Sequence, residues 1–279
     1  VEIGVWVGLG AGIGVFDDVL VGIDPTVSRA RSRQVNWVVA LGALLVRTYL
    51  TPDLAGEEEP RVNIHVKAAG TQFLQAVGAA EAGHRASLLP ELQEHVTGFH
   101  NDGVVLVCGG DGATSTGEFW EAMNTACNLK LPVVFLIEDN GYAISVPVEV
   151  NTAGGSISKL LGSFPNLFIV ECDGTNVIES HRASGDAVAH CRARKGPALI
   201  HAHTTRPYSH SMSDDERAYR PEMEREREAQ RDPLVRTREL LIIEGVATEQ
   251  ELGRIEEDVR KEVAAAADEA LTHTQPLPE

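Results

Sequence analysis

Residues 103–142 read GVVLVCGGDGATSTGEFWEAMNTACNLKLPVVFLIEDNGY, and this stretch is the strongest indication of the fold. Its apolar runs at residues 103–108 and 132–138 are rich in β-branched side chains and bounded by turn signals, as buried strands are. Residues 118–129 between them have the pattern of a helix. A strand, a helix and a second strand in this order build a parallel sheet, in which both strands end at the same edge.

The same alternation continues on both sides of this stretch. Residues 168–172 and 198–203 are two further strand candidates, and residues 71–86 and 177–193 are helix candidates. Strands that alternate with helices indicate an α/β fold with a doubly wound, mostly parallel sheet. Ligands of such sheets bind beyond the carboxyl ends of the strands.

Composition divides the chain into three parts. Residues 1–60 form a divergent N-terminal segment, and residues 61–213 form the α/β core. Residues 214–279 are dense in charge and read as solvated helices followed by a proline-containing linker. We expect these helices to pack on the same domain as the core.

The net charge and the length of the apolar stretches argue against nucleic acid and membrane as partners. The net charge of −17 offers no broad basic surface for the phosphates of nucleic acid. The apolar stretch at residues 35–50 has sixteen residues, whereas a membrane-spanning helix needs about 20. No basic segment precedes a small-residue cleavage site, so we expect neither a signal peptide nor a membrane anchor.

The cysteines point to a reducing compartment. They are widely spaced and form no Cys-x-x-Cys pair, which argues against a disulfide framework and against a zinc site built from thiolates. We expect free, half-buried thiols and a cytoplasmic location. The four are Cys108, Cys127, Cys172 and Cys191.

The two strands of the opening stretch each end in a polar, glycine-containing loop. Gly110, Asp111 and Gly112 follow the first strand, and Asn140 and Tyr142 follow the second. Mg²⁺ prefers hard oxygen ligands and usually keeps phosphate oxygens in its shell. The Asp111 carboxylate, the Asn140 side-chain oxygen and the Tyr142 main-chain oxygen would supply three such ligands.

The first loop also suits a diphosphate. Gly110, Gly112 and Ala113 would let the backbone approach the phosphates and donate N–H groups to them. The alternative is structural: two glycine turns, with the Asp111 side chain capping the helix that follows. Both loops together, at this spacing, favour the magnesium-diphosphate site.

Residues 110–147 resemble the thiamine diphosphate motif of the alpha subunits of 2-oxo acid dehydrogenase complexes, which begins with GDG and ends with NN. The motif's ligands match Asp111, Asn140 and Tyr142. Asp139 stands where the family usually has its first Asn, a position not expected to bind the magnesium ion. The similarity extends from about residue 62 to the C-terminus. The sequence NGYAIS at residues 140–145 is more similar to the branched-chain members of the family than to the pyruvate members.

The resemblance implies the thiamine-diphosphate-binding fold, the cofactors thiamine diphosphate and Mg²⁺, and several further site residues. His210 matches a histidine at the mouth of the active site, and Arg206 is expected near the diphosphate. Ile144 is similar in position to the apolar side chain that props the cofactor into a bent shape. A potassium ion is implied near Thr71 and Gln72.

The implied reaction is the oxidative decarboxylation of a 2-oxo acid, with a branched-chain substrate of the 2-oxoisovalerate type, and transfer of the acyl group to a lipoyl arm. The implied partners are a beta subunit or fused beta domain, which carries the activating glutamate, and a lipoyl acyltransferase core. The implied assembly is an α2β2 heterotetramer or a dimer of fused chains. The tail TQPLPE ends where a fused beta domain could begin, and the sequence leaves open whether the chain is a fragment of an alpha-beta fusion.

Two departures from the family support other interpretations. Residues 1–60 lack the Tyr-Arg pair that grips the diphosphate in the family, and residues 62–69 read VNIHVKAA where a Ser-Pro-bearing stretch is usual. These changes favour a non-catalytic assembly subunit, which the intact magnesium loops oppose. An acetoin dehydrogenase alpha-type subunit shares the same cofactor loops and is the second enzyme candidate.

Two further patterns carry weaker signals. The glycine run at residues 8–14 has the spacing of a dinucleotide loop, which would indicate a nicotinamide-dependent oxidoreductase. His201 and His203 form an H-x-H pair whose side chains share one face of a strand, but no third metal ligand is evident near them in the sequence.

Overall fold

The computed structural model describes residues 5–7, 70–93, 101–211 and 213–273. The glycine run at residues 8–14 lies outside the described residues, although the strand that such a loop must follow is present at Val5–Val7. The altered segment at residues 62–69 also lies outside them. No helix in the described ranges has both the length and the apolar character needed to cross a bilayer.

A five-stranded sheet forms the centre of the molecule, and every pairing within it is parallel. Its strand order is β1-β2-β3-β7-β6, which confirms the predicted parallel α/β fold. A two-stranded antiparallel hairpin, β4 and β5, follows β3 at the carboxyl edge. The strands are β1 (Val5–Val7), β2 (Val105–Gly110), β3 (Val133–Asp139), β4 (Tyr142–Ala143), β5 (Val146–Pro147), β6 (Phe168–Asp173) and β7 (Ala198–His203).

The helices fall between the strands and after the last of them. The α-helices are α1 (Thr71–Leu88), α2 (Pro90–Gln93), α3 (Gly117–Leu129), α4 (Val148–Asn151), α5 (Ile157–Leu160), α6 (Val177–Arg192), α7 (Glu222–Ala229), α8 (Pro233–Ile243) and α9 (Glu249–Thr272). Short 3-10 turns occupy Asp111–Ser115, Ala153–Gly155, Leu161–Ser163 and Glu216–Ala218.

One face of the sheet packs against α1 and α3 through aromatic side chains. Phe73 of α1 and Phe119 of α3 meet edge to face with ring centroids 5.1 Å apart, and both rings approach Phe135 of β3. All three side chains are fully buried. Burial on this scale contributes about 2–3 kcal/mol for each ring, so this cluster holds the first strand–helix–strand unit together.

The opposite face of the sheet is covered by α6. Small buried residues of this helix, Ala183 and Ala187, lie against Val134 and Ile200 of the sheet. Helices therefore cover both faces, which confirms the doubly wound arrangement. All four cysteines are free, as expected, but they are buried rather than half-buried.

The C-terminal helices α7, α8 and α9 contain no buried residue, in agreement with their charged sequence. Ionic contacts connect this segment to the sheet. Arg231 and Arg236 both contact Asp173 at the end of β6, at 3.2 and 2.8 Å. The division at residues 213 and 214 remains a prediction.

Candidate functional site

Asp111 begins the turn after β2 and is 2% exposed. Neither oxygen of its carboxylate accepts a hydrogen bond from a residue that the structure describes. Burial, and after it the charge of Asp139, raise the pKa of Asp111 to about 6, although nearby backbone N–H groups and Arg206 lower it in part. A buried carboxylate that accepts no well-formed hydrogen bond is an unfavourable anion, which a bound cation would stabilise.

The Asp111 side chain does not cap the following helix, so the structural alternative for this residue is wrong. The N-cap of α3 is Thr116. The main chain of Asp111 is instead held in place, because its carbonyl oxygen accepts hydrogen bonds from Thr114 Oγ1 at 2.7 Å and from Asn151 Nδ2 at 3.4 Å. These contacts keep the carboxylate at the end of β2.

The second predicted loop lies beside the first because β2 and β3 are neighbours, with Gly110 paired to Glu138. The Asn140 side chain folds back onto its own loop, where Oδ1 accepts a hydrogen bond from the Tyr142 N–H at 3.2 Å. This bond fixes the amide and leaves the second lone pair of Oδ1 for a ligand. The structure therefore brings together the carboxylate and the amide that the sequence singles out.

The Tyr142 carbonyl oxygen suits its predicted role. Gly141 accepts a hydrogen bond from the Val148 N–H at 2.8 Å, so the neighbouring pair of Tyr142 and Pro147 has no mutual hydrogen bond, and the Tyr142 carbonyl points away from β5. Asp111, Asn140 and Tyr142 thus combine a carboxylate, an amide oxygen and a carbonyl oxygen, the donor set that Mg²⁺ prefers. The described residues fit a magnesium ion.

The hairpin that follows Tyr142 packs tightly on the first loop. A Cβ atom at Gly112 would lie 2.7 Å from the Cβ atom of Ala143, so only glycine allows this approach. Ile144, at the tip of the hairpin, has φ of 59° and is 43% exposed. A β-branched residue in the left-handed region is strained, and such strain occurs most often at functional sites.

Arg206 is 5% exposed and lies against the same hairpin. Its guanidinium donates hydrogen bonds of 2.7 Å to the Ile144 carbonyl and to the Tyr219 hydroxyl. It also lies 5.7 Å from the ring centroids of Tyr142 and Tyr219. Arg206 therefore holds the hairpin tip in place, and its expected contact with the diphosphate remains a prediction.

His210 is linked to Arg206 through two intermediate residues. The His210 backbone N–H donates to the Asp214 carboxylate at 2.8 Å. The same carboxylate accepts a 2.6 Å hydrogen bond from the Tyr219 hydroxyl, which in turn accepts from Arg206. The structure thus connects His210 and Arg206 through hydrogen bonds, a link that their sequence positions do not reveal.

The predicted potassium ligands lie at the start of α1. Gln72 is buried, and its Oε1 accepts a hydrogen bond from the Gly70 N–H at 3.1 Å. Thr71 is half-buried. The potassium site remains a prediction.

A polar network below the second loop was missed by the sequence interpretation. His201 is fully buried, and its Nε2 lies 2.8 Å from Asp139 Oδ2. The other carboxylate oxygen of Asp139 accepts from the Gly141 N–H at 2.8 Å. The sequence indicated no third candidate ligand for the pair His201 and His203, and this prediction is wrong. The sheet places β7 next to β3 and thereby adds Asp139.

Comparison with known proteins identifies the family of the chain. A sequence model of the dehydrogenase E1 component family matches residues 56–279. A pyruvate dehydrogenase E1 component subunit alpha from Rhizobium meliloti is 35% identical over 176 residues, which cover 63% of this chain and 50% of the relative. A 3-methyl-2-oxobutanoate dehydrogenase subunit alpha from Mycobacterium tuberculosis is 38% identical over 192 residues, covering 68% of this chain and 47% of the relative.

The chain spans about half the length of these relatives. The family match covers both predicted cofactor loops and continues through the C-terminal helices. The chain therefore belongs to the dehydrogenase E1 component family, and the relatives named above are alpha subunits of pyruvate and 3-methyl-2-oxobutanoate dehydrogenases.

Proposed function

We propose that this chain supplies the magnesium-diphosphate half of a thiamine diphosphate site in an enzyme that oxidatively decarboxylates a 2-oxo acid. The buried Asp111 carboxylate, which accepts no hydrogen bond from the described residues, is the observation that carries the proposal. A bound divalent ion would neutralise this anion, and the oxygens of Asn140 and Tyr142 would complete the protein's share of its ligands.

The remaining residues would shape the space around the cofactor. Gly110, Gly112 and Ala113 would present backbone N–H groups to the diphosphate. Ile144 would prop the cofactor. Arg206 donates a hydrogen bond to the Ile144 carbonyl and thereby holds the hairpin tip in place. Thiamine diphosphate, when bound, supplies the electron sink for the loss of carbon dioxide.

We propose that His210 and Arg206 act at the end of the site where the substrate reacts. Both lie in the loop after β7, at the carboxyl edge of the sheet, and the Asp214 and Tyr219 contacts hold this loop in one conformation. An arginine and a histidine suit an anionic 2-oxo acid, because the arginine is a permanent cation and the histidine can carry a proton.

The substrate that we propose is a branched-chain 2-oxo acid. The support is the sequence NGYAIS at residues 140–145 and the 38% identity to a relative named as a 3-methyl-2-oxobutanoate dehydrogenase subunit. Relatives named as pyruvate dehydrogenase subunits are nearly as similar, at 35%. Turnover with 3-methyl-2-oxobutanoate, pyruvate and acetoin would separate these substrates, and preference for acetoin would assign the chain to the acetoin dehydrogenases instead.

We also propose the partners of the family: a beta subunit or beta domain, a lipoyl acyltransferase core and an α2β2 assembly. The support is family membership and the similarity to relatives that are named as alpha subunits. A potassium ion near Thr71 and Gln72 and a cytoplasmic location belong to the same proposal. The free cysteines agree with a reducing compartment.

Calorimetric titration of thiamine diphosphate with Mg²⁺ into the chain mixed with a beta-type partner tests the proposal. We expect magnesium-dependent binding that Asp111→Asn weakens by at least about tenfold, since even groups that only orient a metal's ligands are worth 10–100-fold. Asp186→Asn on the exposed face of α6 is the matched control and should bind normally. Absence of binding by the unmodified mixture would contradict the proposal and favour a non-catalytic assembly subunit.

A further inference from the structure

Two neighbouring strands, β3 and β7, place two histidines and a carboxylate together beneath the cofactor loops. Asp139 ends β3 and pairs with His203 of β7, and His201 lies two residues earlier on β7, on the same face. One ligand atom from each of the three side chains lies within 4.8 Å of the others. The two imidazole rings are 4.4 Å apart between centroids. These residues form a cluster with the composition of a transition-metal site.

The hydrogen bonds around His201 determine which of its ring nitrogens carries a proton. Its Nδ1 lies 3.0 Å from Ser158 Oγ. The single hydroxyl proton of Ser158 is donated to Glu171 Oε1 at 2.6 Å, and Ser158 Oγ also lies 2.9 Å from Ser156 Oγ. Ser158 can therefore only accept from His201, so Nδ1 bears the hydrogen.

The other nitrogen of His201 then faces an anion. With the hydrogen on Nδ1, a neutral His201 would direct the Nε2 lone pair at Asp139 Oδ2, which is 2.8 Å away. Two acceptors at this distance in a fully buried position repel each other. Either a second proton or a metal ion bound to both atoms would remove this repulsion. A histidine whose Nδ1–H donates to a polar side chain while Nε2 binds metal is the usual arrangement at metal sites.

The position of His203 favours the metal ion over the proton. A proton shared by His201 and Asp139 needs no third group, yet His203 adds a ring nitrogen to the cluster. The His203 side chain is 47% exposed, so an ion and a water ligand can reach the cluster from solvent. Glu171 Oε2 lies 3.3 Å from His203 Nε2 and is a candidate fourth ligand.

We propose that Asp139, His201 and His203 bind a divalent transition-metal ion of the zinc class, separate from the magnesium ion of the cofactor loops. Two imidazoles with one or two carboxylates suit zinc and its neighbours and not magnesium, which requires oxygen ligands. The ion would join the carboxyl ends of β3 and β7. Because Asp139 Oδ1 also accepts from the Gly141 N–H, the ion would hold the loop that carries Asn140.

Calorimetric titration of Zn²⁺ tests the proposal without any activity measurement. The tag-free chain is first stripped of bound metal and is then titrated in a buffer that contains excess Mg²⁺. We expect one Zn²⁺ for each chain and a higher melting temperature when zinc is present. Replacement by Co²⁺ should give the intense visible absorption of an ion with few ligands, because an octahedral aqua ion absorbs only weakly. The zinc result does not depend on thiamine diphosphate, so it stands or fails separately from the proposed function.

Variants of the cluster identify its ligands. His203→Leu alters a half-exposed side chain and should leave the fold intact, and Asp139→Asn keeps the side-chain shape. Each should weaken zinc binding by at least about tenfold, because loss of a direct ligand costs no less than loss of a group that merely orients one. His181→Gln, on the exposed face of α6, controls for adventitious histidine binding and should bind as the unmodified chain does.

Two results would overturn the proposal. One is that the unmodified chain takes up no zinc, which would leave a proton between His201 and Asp139. The other is zinc binding that persists at full affinity in His203→Leu, which would place the ion elsewhere.

Discussion

Gly112 and Ala143 are in such close contact that a methyl group at position 112 would lie 2.7 Å from the Cβ atom of Ala143 and 3.2 Å from its Cα atom. Gly112 belongs to the turn that starts with Asp111, and Ala143 belongs to the hairpin that starts with Tyr142. The separation of the two loops therefore depends on the absence of one side chain. This contact determines how closely the Asp111 carboxylate approaches the other proposed ligands.

We expect Gly112→Ala to separate the two loops, because the backbone atom of Ala143 cannot yield as a flexible side chain would. The cost should be about 1–3 kcal/mol of folding stability, as for other overpacked sites. The affinity for thiamine diphosphate in the presence of Mg²⁺ should fall by more than the loss of folded protein accounts for. Calorimetry and chemical denaturation of the same preparation measure both quantities.

Gly117→Ala is the matched control for that change. Gly117 starts α3, and a Cβ atom there would meet no atom within 4 Å. Since alanine is the better helix former, this variant should be equally or slightly more stable and should bind cofactor normally. Normal cofactor binding by Gly112→Ala would mean that the contact with Ala143 does not determine the geometry of the site.

Asp111→Asn should stabilise the metal-free chain while weakening magnesium binding. Burial raises the pKa of Asp111 to about 6, so the folded chain holds a proton that the unfolded chain has lost above about pH 4. The folded state is thus increasingly disfavoured as the pH rises from about 4 to 6, and the penalty is complete above that range. The amide has no charge and avoids a penalty of about 2–3 kcal/mol.

Urea denaturation of both proteins between pH 4 and 7.5, with chelator present, tests this expectation. The stability difference should be small at about pH 4 and should reach its full value near pH 7. Added Mg²⁺ should stabilise only the unmodified chain, by mass action. A less stable Asp111→Asn protein at pH 7 would show that the carboxylate makes favourable contacts within the protein.

Sequence patterns predicted the sheet well because its central strands, β2, β3 and β7, are buried on both faces. The strand predicted at residues 198–203 matches β7, Ala198–His203, and the other three predicted strands differ by one or two residues at their ends. Strand β1, Val5–Val7, was not predicted. It has only three residues within an apolar, glycine-containing segment, so neither length nor alternation marks it as a strand.

The site was predictable where it depends on contacts along one stretch of chain. Asp111 and Asn140 end consecutive strands that are joined by one helix, so their proximity follows from the strand–helix–strand rule. The contact of Arg206 with the Ile144 carbonyl joins residues 62 positions apart. The contact between Asp139 and His201 requires that β7 lie next to β3, and no local pattern specifies this strand order.

Ile144→Gly should separate backbone strain from function. Glycine adopts a φ of 59° without strain, and the side chain is 43% exposed, so stability should stay within about 1 kcal/mol of the unmodified chain. Turnover of the assembled enzyme should fall by roughly tenfold to a hundredfold if this side chain props the cofactor, because small displacements of reacting groups have effects of that size. Steady-state kinetics with the beta-type partner measure the loss.

Lys130→Gly controls for the backbone effect alone. Lys130 is the C-cap that follows α3, has a φ of 53° and lies on the exposed surface. Its replacement should relieve similar strain without changing turnover. Unchanged turnover in Ile144→Gly would reject the prop and leave the strain at Ile144 without a functional reason.

The attachment of the C-terminal helices to the sheet should depend on pH through Asp173. Burial opposes the ionisation of this carboxylate, but hydrogen bonds from Arg236, Thr175 and Arg231 outweigh it and hold its pKa below the usual range. A lowered pKa means that the unfolded chain binds the proton more readily. The contribution of Asp173 is therefore complete above about pH 4 and is lost as the pH falls further.

We expect Asp173→Asn to destabilise the chain by about 1 kcal/mol at pH 7, because the contact is only partly buried and solvent screens it. The difference from the unmodified chain should shrink as the pH falls below about 4, and hydrogen exchange in α8 should be faster in the variant at neutral pH. Glu257→Gln, which removes the exposed contact with Lys261 within α9, should change neither stability nor exchange in α8. Equal behaviour of the two variants would mean that Asp173 does not attach α8 to the sheet, and that the charged helices are held by other contacts.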